Sequence, residues 1–126
     1  MAKKTLPKPT ASELNLLRVL WPLGAGTVKQ VHEAAQKDKP DTAYASVLRL
    51  MQIMHGKGLL IRDESERSHV YAPAQAQEAL RTNLLKELIH KAFSGSGKEL
   101  VMAALSEHVT KKEREEIQKF LHGDKP

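Results

Sequence analysis

The sequence predicts a mainly α-helical fold that contains one small β-hairpin. Apolar residues recur at helical spacing through the first half of the chain, where two threonine capping boxes mark helix starts. Two short β-prone runs follow Gly56 and Gly58, and leucine-rich helical periodicity resumes after Ala74. Three helices followed by a hairpin is the element order of a winged helix-turn-helix domain, and here a C-terminal helical segment follows it.

Length and composition limit what the chain can be. With 126 residues and 40% hydrophobic content, it can form one small domain, or one domain with an appended helical segment. The formal charge is +5, from 20 Lys and Arg against 15 Asp and Glu, and this balance permits phosphate binding. Aromatic residues make up only 4%, too few for a platform that stacks the bases of single-stranded nucleic acid.

Residues 1–9 are predicted to be a flexible basic arm, because three lysines and two prolines neither bury area nor complete a helix. No apolar stretch follows this start and no run reaches membrane-spanning length, so we expect a cytoplasmic protein. The absence of cysteine excludes disulfides, zinc fingers and thiol catalysis. No two histidines lie at i and i+4, so we predict no metal site and no cofactor unless two copies of the chain bring histidines together.

The first helix begins at a capping box formed by Thr10 and Glu13, in which the hydroxyl accepts from a helix amide and the glutamate reaches back. Pro22 and Gly24 mark its end. We predict that Trp21 anchors the core. The apolar side of this helix is wide enough to be buried and consists of Leu14, Leu17, Val19, Leu20 and Trp21.

The second helix begins at Thr27 and Gln30, which repeat the capping pattern, and it is predicted to end near Asp38. His32 precedes a glutamate, as at the start of a zinc-protease motif. The second histidine of that motif would stand four residues later, where this chain has Gln36. A metal-binding interpretation of His32 therefore fails.

The third helix is predicted to run to Gly58 from a cap at Asp41 or Thr42. One side is an apolar stripe with the spacing i, i+3, i+4 and i+7, which faces the core. The stripe consists of Val47, Leu50, Met51 and Met54. The opposite side carries small, hydrogen-bonding and cationic groups, together with one isoleucine. These residues are Tyr44, Ala45, Ser46, Arg49, Gln52 and Ile53.

This second face suits the major groove of double-stranded DNA, because small residues allow close approach and longer polar ones reach base edges. We predict that Ser46, Arg49 and Gln52 approach the bases. Tyr44 and Ala45 are predicted to lie near a phosphate or a thymine methyl group. An ordinary solvated helix also carries some Arg and Gln, so a surface without DNA contact is the alternative.

A hairpin is predicted from two β-prone runs, residues 59–63 and 69–73, which flank a polar tip. We predict that Arg67 at this tip contacts the DNA backbone. Phosphate would repel the three acidic residues of the wing. They are Asp63, Glu64 and Glu66. The polar groups of the hairpin face solvent with no pocket around them, so we predict no enzyme activity.

Residues 10–73 are thus predicted to form the DNA-binding domain, and residues 74–126 a helical dimerisation domain. The second part has three helices with apolar stripes but only about fifty residues, which is too little for an independent core, so a homodimer that shares the stripes is expected. Packing of these helices on the first domain is the alternative. The predicted dimerisation residues are Leu84, Leu85, Leu88, Phe93, Leu100, Val101, Leu105, Ile117, Phe120 and Leu121.

Four motifs give the chain a family resemblance that covers nearly its whole length. They are ELNLLRVLW at residues 13–21, AYASVLRLMQ at 43–52, HGKGL at 55–59 and SGSGKELV at 94–101. Together they resemble the penicillinase-repressor family of BlaI/MecI-type transcriptional regulators. The resemblance implies a dimeric winged-helix repressor that binds palindromic operators, often of TACA/TGTA type, through double-stranded DNA contacts. It also implies that the C-terminal helices dimerise.

In the better-studied relatives, a membrane sensor with a zinc protease domain triggers cleavage in the first helix of the dimerisation segment, which relieves repression. The matching pair here is Ala103 and Ala104, in place of the Asn-Phe pair of those relatives. This difference from the relatives favours a structural role for the two alanines in an intact helix. A different class of function also fits the element order: a winged-helix module that binds a protein partner, or an architectural DNA-binding protein without sequence specificity.

Overall fold

The computed structural model describes residues 8–123, so residues 1–7 of the predicted basic arm lie outside the description. The described residues form six helices and one antiparallel hairpin in the predicted order. The elements are α1 (Ala11–Leu23), α2 (Val28–Ala35), α3 (Tyr44–Lys57), β1 (Leu60–Asp63), β2 (Val70–Pro73), α4 (Gln77–Ala92), α5 (Gly97–Glu107) and α6 (Lys111–Leu121). Within the described range, none of these helices is both long enough and apolar enough to cross a membrane.

The chain divides into two compact units, one up to Arg81 and one from Thr82 onward. The core of the first unit comprises Leu16, Leu17, Leu20, Val28, Val31, Val47, Met51, Met54, Leu59, Leu60, Tyr71 and Leu80. Leu80 lies in the leucine-rich part of the sequence after Ala74, which is predicted to dimerise. It is instead buried in the first unit, beside Leu17 and Leu59, so the first turn of α4 folds with that unit.

The first helix confirms its predicted cap and corrects its predicted core. Glu13 N donates to the Thr10 hydroxyl at 3.2 Å, and Thr10 N donates to the Glu13 carboxylate at 2.8 Å. Leu16, which the sequence interpretation omitted, is buried, whereas Trp21 is only half-buried. The Trp21 indole Nε1 donates to the Gln75 carbonyl oxygen at 3.0 Å, because this rim position leaves the ring nitrogen within reach of the chain after β2.

The start of α3 differs from the prediction of a cap at Asp41 or Thr42. The residue before the helix is Ala43, which provides no side-chain cap. The Thr42 hydroxyl donates instead to the Lys39 carbonyl at 2.7 Å, so it is occupied by the turn that follows α2. The second helix itself ends at Ala35, three residues before the predicted end.

The hairpin is joined to the α1–α2 turn through Tyr71. Arg62 lies opposite Tyr71 in the antiparallel pair of β1 and β2. Tyr71 also exchanges two backbone hydrogen bonds with Gly26, each 2.9 Å long, and its side chain is buried. The backbone of β2 is therefore held on both sides, which fixes the wing to the helical core.

A buried carboxylate links the beginning of α1 to the end of α3. The Glu13 residue is 2% exposed, and its Oε1 accepts from Lys57 Nζ at 2.7 Å in addition to the Thr10 amide. Burial raises the pKa of the Glu13 carboxyl, but the hydrogen bonds from Lys57 and Thr10 outweigh this effect and lower it overall. The charged form of Glu13 is therefore the form that stabilises the folded chain.

Glu13→Gln is expected to lower the free energy of unfolding by about 1–2 kcal/mol at neutral pH, because the amide carries no charge to pair with Lys57. Folding lowers the pKa of Glu13, so this contribution is present above the ordinary glutamate pKa and is lost as the pH falls through the folded-state pKa. Denaturant unfolding of both proteins across pH measures the difference, with the exposed Glu78→Gln as control. A difference that stays constant as the pH falls would contradict the ion pair.

The second unit consists of helices with well-formed ends and little burial. Ser96 caps α5, and Thr110 with Glu113 forms a capping box at the start of α6. None of the described residues from 82 to 123 is buried. Large apolar side chains of this unit are exposed, namely Leu85, Leu88, Val101, Met102, Phe120 and Leu121. Local hydrogen bonds therefore define these helices, whereas none of their apolar side chains is fully buried within the described residues.

Candidate nucleic-acid interface

The α3 helix divides its residues between a buried and an exposed side, as its periodicity predicts. Val47, Met51 and Met54 are buried, while the predicted Leu50 of the same stripe is half-buried. The predicted DNA-facing residues all lie on the exposed side, and Ile53 is exposed beside them. These residues are Tyr44, Ala45, Ser46, Arg49 and Gln52. The core therefore holds the helix in place and leaves this face open to a ligand.

Arg49 is the only cation on this face before the last turn of the helix. Within the described chain its guanidinium has no hydrogen bond and no ion pair. A free guanidinium can give two parallel hydrogen bonds to guanine O6 and N7, and the neighbouring Gln52 amide can pair with adenine in the same way. Ala45 and Ser46 precede them, and their small side chains permit a close approach of the helix.

His32, for which the sequence predicts no function, contacts residues at the start of α3. His32 Nε2 lies 2.8 Å from the Thr42 carbonyl oxygen. The His32 ring also meets the Tyr44 ring edge to face, with centroids 5.5 Å apart and planes at 86°. These partners are ten and twelve residues away in the chain, a spacing that matches no helical or strand period, so no sequence signal could have identified them.

In the described chain, the two arginines of the wing differ in their contacts: Arg62 is bound by neighbouring side chains, whereas Arg67 is not. Arg62 Nε donates to the Glu64 carboxylate at 2.7 Å, and its guanidinium lies 5.9 Å from the centre of the Tyr71 ring. Contact with Tyr71, and then with Glu64, raises the pKa of Arg62. Arg67 is exposed and makes no polar contact with the described chain, so it is the wing cation available to a phosphate.

Local hydrogen bonds favour the charged form of two carboxyl groups on the wing, those of Asp63 and Glu64. A hydrogen bond from the Ser65 backbone amide lowers the pKa of Asp63, and the hydrogen bond from Arg62 lowers the pKa of Glu64. The segment carries three acidic residues, Asp63, Glu64 and Glu66, and two arginines, Arg62 and Arg67. The same charge balance underlies the prediction that phosphate repels the acidic residues of the wing, which stays a prediction.

Nine of the ten predicted dimerisation residues lie on α4, α5 and α6, Phe93 directly follows α4, and none is fully buried. Five are exposed: Leu85, Leu88, Val101, Phe120 and Leu121. Five are half-buried: Leu84, Phe93, Leu100, Leu105 and Ile117. Ala103 and Ala104, the pair that matches the cleavage position of the relatives, lie inside α5, where the first is exposed and the second half-buried.

Comparisons with known proteins match most of the chain. The family model described as Penicillinase repressor matches residues 9–123. Two curated relatives carry the name Transcriptional regulator BlaI and come from Mycobacterium tuberculosis, one from strain CDC 1551 / Oshkosh and one from strain ATCC 25618 / H37Rv. Each is 27% identical to this chain over 106 residues, which covers 79% of this chain and 76% of the relative.

The solved structures show a similar fold for the first part of the chain. The solution structure of the DNA-binding domain of the repressor BlaI aligns with a TM-score of 0.51 at 20% sequence identity. The alignment covers 60% of this chain and 90% of that domain. At this level of identity the likeness bears on the fold alone, and it confirms the winged helix that the order of helices and hairpin predicts.

Proposed function

The chain belongs to the penicillinase repressor family, and on this premise we propose that it is a transcriptional repressor whose winged helix binds double-stranded DNA. In this proposal the protein acts as a homodimer, and each copy reads one half of a palindromic operator. Repression follows because the bound dimer blocks access of RNA polymerase to the promoter. In this proposal α3 lies in the major groove and contacts the bases, and Arg67 on the wing contacts the DNA backbone.

The exposed face of α3 is the single observation that carries this proposal. Arg49 and Gln52 are exposed and lie one helical turn apart, so both can reach base edges from a helix that lies in the groove. Tyr44 and Ala45, at the N-terminal end, are placed for a phosphate or a thymine methyl group. The first unit buries the opposite side of α3, which means that this face does not contribute to its core.

The homodimer is supported by the apolar side chains that the second unit leaves in water. Six large apolar residues of α4, α5 and α6 are exposed, and the most exposed are Phe120 at 66% and Leu121 at 74%. Burial of such side chains against a second copy removes them from water at about 25 cal/mol per Å². A two-fold symmetric pair also presents two α3 helices to DNA, which matches the symmetry of a palindrome.

We further propose that signal-dependent proteolysis by a membrane sensor system relieves repression, with Ala103 and Ala104 as the cleaved pair. Both alanines lie in the middle of α5, and the Ala103 side chain is exposed. A protease binds an extended chain, so α5 must open locally before cleavage, and the low burial of this helix favours such opening. Recovery of uncut protein from cells in which target genes are induced would remove this part of the proposal.

Selection of bound duplexes from a random library, at salt near physiological, tests the proposed function directly. A two-fold symmetric motif whose half-site centres lie about one helical turn apart is the expected result. A folded, dimeric protein that enriches no motif would overturn sequence-specific repression. Capture of duplex with a steep salt dependence but no motif would indicate an architectural role, and no capture at all would favour a protein-binding module.

Arg67→Ala is expected to weaken binding equally to the selected duplex and to a scrambled duplex. A phosphate contact carries no sequence information, so its loss lowers affinity uniformly and reduces the salt slope by about 1. Titrations at several salt concentrations measure both quantities. Arg18→Ala is a charge-matched control, since Arg18 is exposed on α1 and hydrogen-bonds only to Asn15 among the described residues. An equal decrease in salt slope for both variants would assign the effect of Arg67 to net charge rather than to contact.

A further inference from the structure

We propose that His32 is a positioning residue for base readout, which holds the first turn of α3 and the Tyr44 ring in the orientation that DNA contact requires. His32 lies on α2, outside the face that meets the bases. The inference rests on the proposed function, because it gives His32 its role through the same α3 face.

The first contact of His32 holds the peptide just before α3, a helix whose N-terminus has no side-chain cap. Side chains cap the N-termini of α1, α2, α5 and α6, whereas Ala43 before α3 has no group that can do so. The adjacent peptide is held by His32, whose Nε2 lies 2.8 Å from the Thr42 carbonyl oxygen. A carbonyl oxygen can only accept, so Nε2 carries the hydrogen and donates it. This bond fixes the peptide that leads into α3 from the neighbouring helix.

The second contact of His32 restrains the side chain of Tyr44. The two rings meet edge to face at 5.5 Å between centroids, and Tyr44 is otherwise 47% exposed and makes no hydrogen bond to the described chain. An exposed aromatic side chain samples several rotamers, and each rotamer that it gives up on binding reduces affinity. Contact with the His32 ring restricts the rotamers of Tyr44 in the unbound protein, so less side-chain entropy is lost on binding.

Core packing of α2 against α3 does not depend on these contacts. Val31 on α2 and Val47, Met51 and Met54 on α3 are buried, and they keep the two helices together. His32 is half-buried at the edge of this core. Its replacement is therefore expected to leave the fold intact and to change the start of α3, where the DNA-facing residues begin.

Replacement of His32 distinguishes positioning from a general structural role. His32→Ala is expected to weaken binding to the selected duplex about three- to tenfold, the effect of one hydrogen bond, and to leave binding to a scrambled duplex nearly unchanged. His32→Gln places an amide N–H near the position of Nε2 and is expected to restore much of this loss. His32→Asn is one carbon shorter and is expected to restore none of it. Glu33→Ala, at the exposed neighbour on α2, serves as the control.

A double-mutant cycle with Tyr44→Ala tests whether His32 acts through the tyrosine. Coupling is expected, so that His32→Ala costs less affinity when Tyr44 is already absent. Thermal unfolding measures whether each variant is folded. If His32→Ala is unfolded, the comparison of His32→Gln with His32→Asn tests the positioning role instead. Equal losses on both duplexes, a glutamine variant no better than the asparagine variant, or additive effects in the cycle would each overturn the inference.

The wild-type protein separates this inference from the proposed function. If wild-type protein shows no preference for any duplex, the proposed function fails and the role of His32 fails with it. If wild-type protein discriminates between duplexes and the folded His32→Ala variant discriminates equally well, the proposed function stands and only the role of His32 is rejected.

Discussion

Phe120→Glu is expected to convert the proposed dimer into monomers and to weaken operator binding by about 10²–10⁴-fold, the range by which linkage of two binding modules raises affinity. Phe120 is 66% exposed in the single chain, so the substitution should leave α6 intact while it places a charge in the shared apolar surface. Sedimentation velocity across a range of concentrations measures the assembly, and titration of the selected duplex measures the affinity.

The matched control for this experiment is Gln118→Glu, which adds the same charge to an exposed side chain of the same helix. We expect this variant to remain dimeric and to bind as the wild-type protein does. If Phe120→Glu also remains dimeric and binds fully, the interface lies elsewhere, and the assignment of Phe120 and Leu121 to it is wrong. If the helical circular-dichroism signal is lost in Phe120→Glu but kept in Gln118→Glu, even at high protein concentration, Phe120 instead supports the fold of the chain.

Arg49→Ala is expected to cost about 1–3 kcal/mol on the selected duplex and to relax the preference at one base position. The exposed guanidinium of Arg49 has no partner in the described chain, so its removal leaves no buried group unsatisfied and should not affect stability. A repeat of the duplex selection with the variant shows which position of the motif loses its preference.

Arg49→Lys separates charge from geometry. Lysine keeps the positive charge but cannot form the paired hydrogen bonds of a guanidinium, so the variant should retain the salt slope and lose most of the base preference. If Arg49→Ala keeps the full motif, Arg49 does not read the sequence. If Arg49→Lys restores the motif completely, charge alone is sufficient and Arg49 acts on the backbone.

Local features of the fold were predictable because their partners lie three or four residues apart. The capping boxes at Thr10 and Thr27 are present as expected, since each is a four-residue pattern that the sequence displays directly. The buried stripe of α3 follows from its apolar period in the same way. The predicted cap at Asp41 or Thr42 is wrong: the residue before α3 is Ala43, and the Thr42 hydroxyl donates to the Lys39 carbonyl in the turn after α2.

Contacts between distant residues could not be predicted from spacing. Glu13 and Lys57 are 44 residues apart, and Trp21 and Gln75 are 54 residues apart, so neither pair leaves a periodic signal. At the candidate site, the exposed face of α3 followed from periodicity, while the contacts of His32 required coordinates. The roles of Tyr44, Ala45, Ser46, Arg49, Gln52 and Arg67 at DNA stay predictions until binding is measured.

The burial of Leu80 determines where the chain can be cut to separate the winged-helix unit from the C-terminal helices. Leu80 is 4% exposed and, with Leu17 and Leu59, lines the space beneath Trp21. A fragment cut after Pro73 would leave that space open and would remove the carbonyl group to which the Trp21 indole donates. A chimaera that exchanges winged-helix units between relatives should therefore be joined within α4, after Arg81, and not in the loop that follows the hairpin.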